Sequence, residues 1–496
     1  MSEPPGDWGI GDGGAGELSE VDAAHGVAIV EPRLRPLGPA AALMFPRVVD
    51  VTLAPFGAKG DGSTDDTEAV QAALTRAPDG GVVYFPRGSY VVENLRISGR
   101  QCLTLLGDGH RSRIVRRRGR PIRVNGVDSD DGATEILLVE DSSDITIERL
   151  GFETNGANGI DRPGGVRFLA CAGVRVRDCR FRDSHRRDFG ADDRIALRFE
   201  GDAAGRNSDV SIEDNLFENL SVKVAMTSRA RIAGNHFIYP VPVGIWIGGM
   251  GHDSVQEDID IDDNEIVHPF ETGIRVSNVD WGGGAPTRNA MRRIRIAGNR
   301  IRKGRNDYVA IGGEGIFVGN SSERGTEANA FESVLIDDNT ILLSREVGNP
   351  TRGIWLQLEP RREPSAVEPP NWDHFALCAI RDNMISGSRG FENLDTLEVF
   401  GAGIEAAMLY RCEVANNMIR DSDCGVKLAG GLMNNLVHHN ASDGPQSAFF
   451  YKGSLGGNVI FTDVFMDHAA GAQADLQGNG DRVPDFHGDS ISWADR

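Results

Sequence analysis

The chain has 496 residues, 40% of them hydrophobic and 25% charged, and a net charge of −21. That composition supports a folded core, contains no run of ~18 apolar residues able to cross a bilayer as a helix, and argues against a general nucleic-acid binder, which needs basic surface to neutralise phosphate. Glycine is abundant, with 62 residues against the usual ~7% of a chain, and only 7% of residues are aromatic, as expected of a fold with many tight turns.

Residues 1–45 are rich in Gly, Pro and Ala and lack strand alternation, so they are expected to form a flexible or draped segment. The opening MSEPPGDWGIGDGG has no basic run followed by an apolar stretch. The expected location is therefore cytoplasmic, or outside by a route without a recognisable signal peptide. Next, Asp65-Asp66-Thr67-Glu68 signals a short helix, with Asp65 and Glu68 spaced as an N-cap and its partner. Ala69, Val70, Ala73 and Leu74 form its apolar face, suited to capping the end of a repeat array.

The array is visible as a short motif: apolar, any, apolar, any, any, Asn, any, apolar. Copies carry Asn215, Asn235, Asn264, Asn299, Asn339, Asn383 and Asn417, with a degenerate copy at Asn440; Leu150 and Cys179 fill the same slot upstream. The spacing varies from 20 to 44 residues. A fixed motif at irregular intervals predicts the coils of a solenoid with insertions in its loops. The alternation predicts strands with one buried face. One Asn at the same place in each coil is expected to stack on its neighbours and bond the backbone of the turn.

A second repeat follows in several coils: Gly-apolar-any-apolar, as in Gly244-Ile-Trp246-Ile and Gly353-Ile-Trp355-Leu. Each Gly is expected at a bend. The variable third positions should point outward and stack into a column of Arg167, Arg198, Trp246, Arg275, Phe317, Trp355, Glu405 and Lys427. Aromatics interleaved with charges suit a groove for an oligosaccharide, because rings pack on sugar faces and cations pair with carboxylates. The insertions 278–289 and 360–372, each with a Trp, are expected to wall that groove, and after about residue 465 the pattern fades into a polar tail over 466–496. The six cysteines form no CxxC pair and read as small buried hydrophobes; no metal site and no cofactor are expected.

Residues Phe56–Leu74 (FGAKGDGSTDDTEAVQAAL) and Gly80–Tyr90 (GGVVYFPRGSY) resemble the opening of polygalacturonase-like and tailspike-like proteins of the pectin-lyase-like superfamily, and the coils extend the resemblance over about 48–465. The fold this implies is all-β: a right-handed parallel β-helix, here one domain over 46–465 with a short N-terminal capping helix. Tailspike-like relatives imply a homotrimer as an option. Ala191-Asp192-Asp193-Arg194-Ile-Ala-Leu resembles the polygalacturonase stretch Gly-Asp-Asp-Cys-Ile-Ala-Leu, whose aspartates act in hydrolysis. Asn306-Asp307-Tyr308-Val-Ala-Ile is a second echo, and Gly273-Ile-Arg275-Val-Ser277 echoes a substrate-binding strand, with Ser277 in place of that family's Lys.

The expected activity is cleavage of glycosidic bonds by a carboxylate pair. The candidate catalytic residues are Asp192, Asp193, Glu271, Glu405 and Asp307, and the candidate substrate-binding residues are Arg198, Trp246, Arg275, Tyr308, Phe317, Trp355 and Lys427. Two alternatives stay open. One is a lyase, epimerase or intramolecular sugar transferase on the same scaffold, where Arg198, Arg275 or Lys427 would neutralise a uronate. The other is a non-enzymatic trimeric glycan binder of tailspike type. The acidic run Asp258, Asp260, Asp262 and Asp263 reads as solvated surface rather than a calcium site.

Overall fold

The computed structural model describes residues 47–474 apart from the stretches 118–120, 125–126, 131–134, 155–164, 184–193, 202–204, 249–254, 279–287, 305–312, 321–327, 344–350, 359–362, 368–369, 371, 389–400, 445–446, 461–463 and 469–472. The chain divides into a unit at Met1–Gly38, outside the described residues, and a unit at Pro39–Arg496 that contains the solenoid.

Each revolution lays one strand on each of three faces. In one coil, Ile195–Glu200 lies on the first face, Asn207–Glu213 on the second and Leu216–Glu218 on the third, and Ser221–Val224 returns to the first. Each strand pairs in parallel with its equivalent in the next coil, so Arg198 opposes Lys223, Ser211 opposes Arg231 and Phe217 opposes Phe237. The first two faces join as a sheet of 28 described strands and the third is a sheet of 14. The one antiparallel pair among the described strands is a hairpin, Pro121–Val124 with Val127–Asp130. This is the expected right-handed parallel β-helix. Pairing continues past residue 465, through Val464–His468 and Gln473–Ala474.

The core is built of stacked like residues. On the third face Phe152, Phe181, Phe217 and Phe237 lie nearly parallel, with centroids 4.9, 5.1 and 4.6 Å apart. The same register line continues through Ile266, Ile301, Ile341, Ile385 and Ile419. Identical shapes at the strand repeat pack without voids.

The corner from second to third face is two residues long, as in Asp214-Asn215, Asp263-Asn264 and Asp338-Asn339. The first residue takes the left-handed conformation, with φ of 55°, 53° and 53° at those three aspartates. The second is the ladder Asn. Asn264 donates its backbone N–H to Asn299 Oδ1 at 3.0 Å and its side-chain Nδ2–H to the same oxygen at 2.9 Å, and it bonds the Ile232 carbonyl at 2.9 Å. The pattern repeats from Asn215 through Asn417 to Asn440, with every member buried. A second, shorter line, which the sequence motif does not announce, runs Cys378, Cys412, Asn435 and Asn458. Three of the five buried cysteines, Cys179, Cys378 and Cys412, thus take slots in these corner lines, and Cys171 makes a similar bond to Asn207, while Cys102 is exposed.

The repeated glycines before the first-face strands have a reason other than the expected bend. A Cβ on Gly315 would sit 2.5 Å from Ile341 Cγ2 and 2.6 Å from the Gly353 carbonyl oxygen, and Gly273 and Gly353 are equally confined. The requirement is close approach of backbone to backbone and to the isoleucine stack.

The helix spans Thr67–Arg76 and buries Val70, Ala73 and Leu74. Its start differs from the expected capping box. Asp66 is the N-cap residue and makes no side-chain cap; its carboxylate is buried, accepting the N–H groups of Lys59 and Gly60. Asp65 instead accepts the Thr67 N–H and pairs with Arg117. Gln71 bonds the Arg96 carbonyl and N–H, at 2.9 and 2.8 Å, and so covers the backbone of an end strand that would otherwise be open.

Replacing Asn299 with Ala removes the acceptor of two buried donors on Asn264. At about 1–3 kcal/mol for each unsatisfied buried group, the expected loss is about 3 kcal/mol or more. Urea unfolding should show a large drop in midpoint for Asn299→Ala, and almost none for Arg300→Ala, the exposed next residue.

Candidate active site

The chain varies in length at the two ends of the first-face strands. The stretches 183–194, 304–312, 344–350 and 387–401 lead into that face, and 279–287, 321–327 and 358–374 lead out of it, while the Asn corner stays at two residues. Variable loops on a rigid scaffold are where binding and catalysis concentrate.

Register confirms the outward column. It runs Arg167, Arg198, Lys223, Trp246, Arg275, Phe317, Trp355, Glu405 and Lys427, each opposite the next. Lys223 is the member that sequence reading missed. Its strand lacks the glycine signature, although the 20-residue interval between Asn215 and Asn235 leaves room for a first-face strand.

The column is less open than expected. Trp246 and Phe317 are 6% and 3% exposed, which corrects their assignment as exposed sugar platforms. Trp246 is held down by its own polar handle, as Nε1–H donates to the Ser277 carbonyl at 3.0 Å and the Lys223 ammonium sits 4.0 Å from the ring. Phe317 lies between the Arg275 guanidinium at 5.6 Å and Trp355 at 5.0 Å. Arg198 is paired with Glu200, which also binds Arg167 at 2.9 Å, so this end is a self-neutralised cluster. Trp372 does not face a groove. It is buried beside Pro364 and Gly431 and donates to the Ser365 carbonyl.

The partly exposed members of the column are Arg167, Arg198, Arg275, Trp355, Glu405 and Lys427, of which Trp355, Glu405 and Lys427 are consecutive and include the one partly exposed aromatic. Glu405 lies between two cations, Lys427 at 3.0 Å and Arg352, and the Arg352 guanidinium rests 4.1 Å from the Trp355 ring. One coil before Arg352, at the same register, is Glu314. Glu314 is buried and accepts the Thr272 hydroxyl at 2.7 Å. Glu271, in the preceding turn, faces Arg275 at 3.7 Å.

Beneath these heads lies Lys303. Its side chain is inward and buried, and its ammonium donates to the Glu271 carbonyl and, at 3.4 Å, to that of Phe270. Burial pushes its pKa down from 10.5 to about 8, against the opposing pull of Glu314 and Glu271. Sequence reading missed Glu314, Arg352 and Lys303. For Lys303 a signal existed: strand alternation puts it on the same side as Ile301, and an inward Lys in a core face calls for a partner.

Asp192, Asp193, Asp307, Tyr308 and Trp281 lie outside the described residues. Two members of the acidic run are in ion pairs, Asp258 with Arg293 and Asp262 with Arg295. Among the described residues no group of three or more His, Cys, Asp or Glu side chains is arranged to hold a metal ion.

The family profile described as rhamnogalacturonase A/epimerase, pectate lyase-like, matches residues 51–265. The chain has the β-helix fold and is similar to pectin-lyase-like proteins over that span. It is 24% identical to rhamnogalacturonase A of Aspergillus niger over 301 residues, covering 56% of this chain and 65% of that enzyme. A probable rhamnogalacturonase A of Aspergillus oryzae is 30% identical over 139 residues, 26% of this chain and 27% of that protein. Among solved structures, a tailspike protein of E. coli bacteriophage HK620 superposes with a TM-score of 0.51 at 12% identity, over 89% of this chain and 79% of that one, a likeness of fold alone. One expectation is overturned: the rhamnogalacturonases that this β-helix resembles are secreted, extracellular enzymes, which conflicts with a cytoplasmic location.

The Lys303 geometry sets a pH dependence. Between about pH 8 and 10.5 the folded chain has released this proton and the unfolded chain still holds it. The unfolded state binds more protons there, so stability rises with pH across that window, by up to about 3 kcal/mol. Below pH 8 the cost of burying the charge is fully present. Unfolding midpoints from pH 7 to 10.5 should therefore rise for the wild type relative to Lys303→Met; parallel profiles would show that Lys303 does not titrate in this range.

Proposed function

We propose that the chain is a glycoside hydrolase acting on a polysaccharide laid along the first face, with Glu314 and Glu405 as its carboxylate pair and Trp355 as the sugar platform between them. The observation that carries this reading is the register Glu314–Arg352 beside Phe317–Trp355–Glu405, which sets an aromatic between two carboxylates on successive coils. The two glutamates are two coils apart, about 10 Å along the axis at ~4.8 Å per strand. Glu405 is also three residues further along the strand than the position aligned with Glu314, about 10 Å at ~3.3 Å per residue, so the roughly 6.5–9.5 Å between the acid and base of inverting glycosidases requires the two side chains to reach toward each other. The match to rhamnogalacturonases supports a carbohydrate substrate. Arg275, Arg352 and Lys427 suit an acidic sugar. Glu271 is the reserve carboxylate, and Asp192, Asp193 and Asp307 remain candidates by resemblance.

The test is product analysis by mass spectrometry on neutral and acidic polysaccharides, rhamnogalacturonan included. A gain of one water per cleavage is expected. Glu405→Gln and Glu314→Gln should each lower kcat by about 1,000-fold with the fold intact, and Trp355→Ala should raise KM by about 10-fold. Cleavage without water gain, giving an ultraviolet-absorbing product, would overturn hydrolysis in favour of elimination. Binding without any product would make the chain a glycan binder.

A further inference from the structure

The first face is built to present side chains outward, yet a buried cation reaches the backbone beside Glu271 and Glu314 from the third face. Lys303 ends the third-face strand Arg300–Lys303, and its ammonium extends under the start of the next first-face strand. A Cβ added to Gly313 would lie 2.2 Å from Nζ, so the Lys side chain occupies the space that this glycine leaves. The ammonium donates to the carbonyls of Phe270 and Glu271 on one coil, while Gly313 and Glu314 belong to the next. The same two coils are tied by the Thr272 hydroxyl to Glu314.

From this geometry we infer that Lys303 is a positioning residue. It fixes the turn bearing Glu271 against the strand start bearing Glu314 and supplies the positive charge between two carboxylates of adjacent coils. Its catalytic half rests on the hydrolase reading; its electrostatic half does not.

The arrangement has a chemical consequence. Two carboxylates on neighbouring coils repel unless a cation stands between them. While Lys303 is protonated, Glu314 is held in place by Thr272 from one side and by the ammonium's field from the other. When the ammonium loses its proton, near pH 8, the pair loses that counter-charge. Among the described residues, the other charged or titratable groups around this position are Arg275, paired with Glu271, Arg352, opposite Glu314 on the next coil, and His268, whose Nδ1 accepts the Gly304 N–H at 3.0 Å. Arg275 still neutralises Glu271 after the proton leaves, so Glu314 is the group most affected. A catalytic carboxylate that shifts by about 1 Å loses on the order of 100-fold in rate.

The chain has five lysines, at 59, 223, 303, 427 and 452, few enough to resolve each one by carbon-13 labelling of lysine and NMR. The signal missing in Lys303→Met identifies Lys303 in the wild type and should titrate near pH 8. In Glu314→Gln its midpoint should fall by about half a pH unit or more, because a favourable neighbouring charge has gone. An unchanged midpoint would show that the two groups are not coupled and would overturn the inference. This measurement needs no substrate.

The catalytic half is read from pH–rate profiles. Lys303→Met should lower kcat about 10-fold or more with KM within about 2-fold, and should lack the alkaline limb near pH 8. Lys303→Arg, which keeps the charge, should recover most of kcat and move that limb upward. A Lys303→Met protein that melts near the wild-type temperature and keeps its kcat and profile would overturn the positioning role. Absence of turnover by the wild type would instead overturn the hydrolase reading.

Discussion

Everything in this structure hangs from one constraint: a corner that turns in two residues buries backbone and side-chain amides, and each of these must find a partner. The ladder asparagines meet it because an amide side chain carries both donors and acceptor. Asn264 accepts from the coil before and donates to the coil after through the same short side chain. No aliphatic residue can do this, and Asp, when ionised, has no donor. The repeat therefore keeps one residue type across coils whose other positions drift.

A corner that cannot lengthen forces variation elsewhere. The two ends of the first-face strands absorb it, and insertions there leave the pitch of the solenoid untouched. The fold thus separates a constant corner, the Asn turn, from the variable ends of the first-face strands. The glycine ladder serves the same division. By letting the backbone of one coil touch that of the next, as at Gly273, Gly315 and Gly353, it keeps the strand starts in strict register. Register is what sets Arg352 beside Glu405 and Glu314 beside Thr272.

The fold was legible because solenoid coils repeat in sequence: alternation, Asn and Gly occur at fixed positions within each copy, and the stacking of those copies follows from strand geometry. The column was legible for the same reason, including the order Arg275, Phe317, Trp355, Glu405, Lys427. What sequence could not show was which column members are covered. Trp246 and Trp355 have the same pattern around them, Gly-Ile-Trp followed by an aliphatic, yet one is buried and the other half-buried. The difference lies in long-range partners: Ser277 and Lys223 for the first, Arg352 and Phe317 for the second. Nor could it show Glu314 or Arg352, whose importance comes from lying at the same register on neighbouring coils, 38 residues apart in the chain.

The distribution of charge along the first face gives the final step. At the N-terminal end Arg167 and Arg198 share Glu200, and Glu135 stands 4.0 Å from Arg167, so cations and carboxylates cancel locally. In the middle Lys223 rests on the Trp246 ring, and Arg275 lies near the Trp246 and Phe317 rings and pairs with Glu271 at 3.7 Å. Toward the C-terminal end Arg352 and Lys427 flank Glu405, and Glu314 lies at the register of Arg352, so two cations and two carboxylates are gathered around the partly exposed Trp355. An acidic sugar bound to this face would compete with Glu405 for Arg352 and Lys427. These cations stand where the aromatic surface is accessible and where the two glutamates lie on either side of it. Cations, an aromatic ring and two carboxylates coincide over three successive coils, Gly313–Asn320, Thr351–Gln357 and Ala402–Tyr410, as the proposed hydrolase site requires, and the remaining coils hold those three in register.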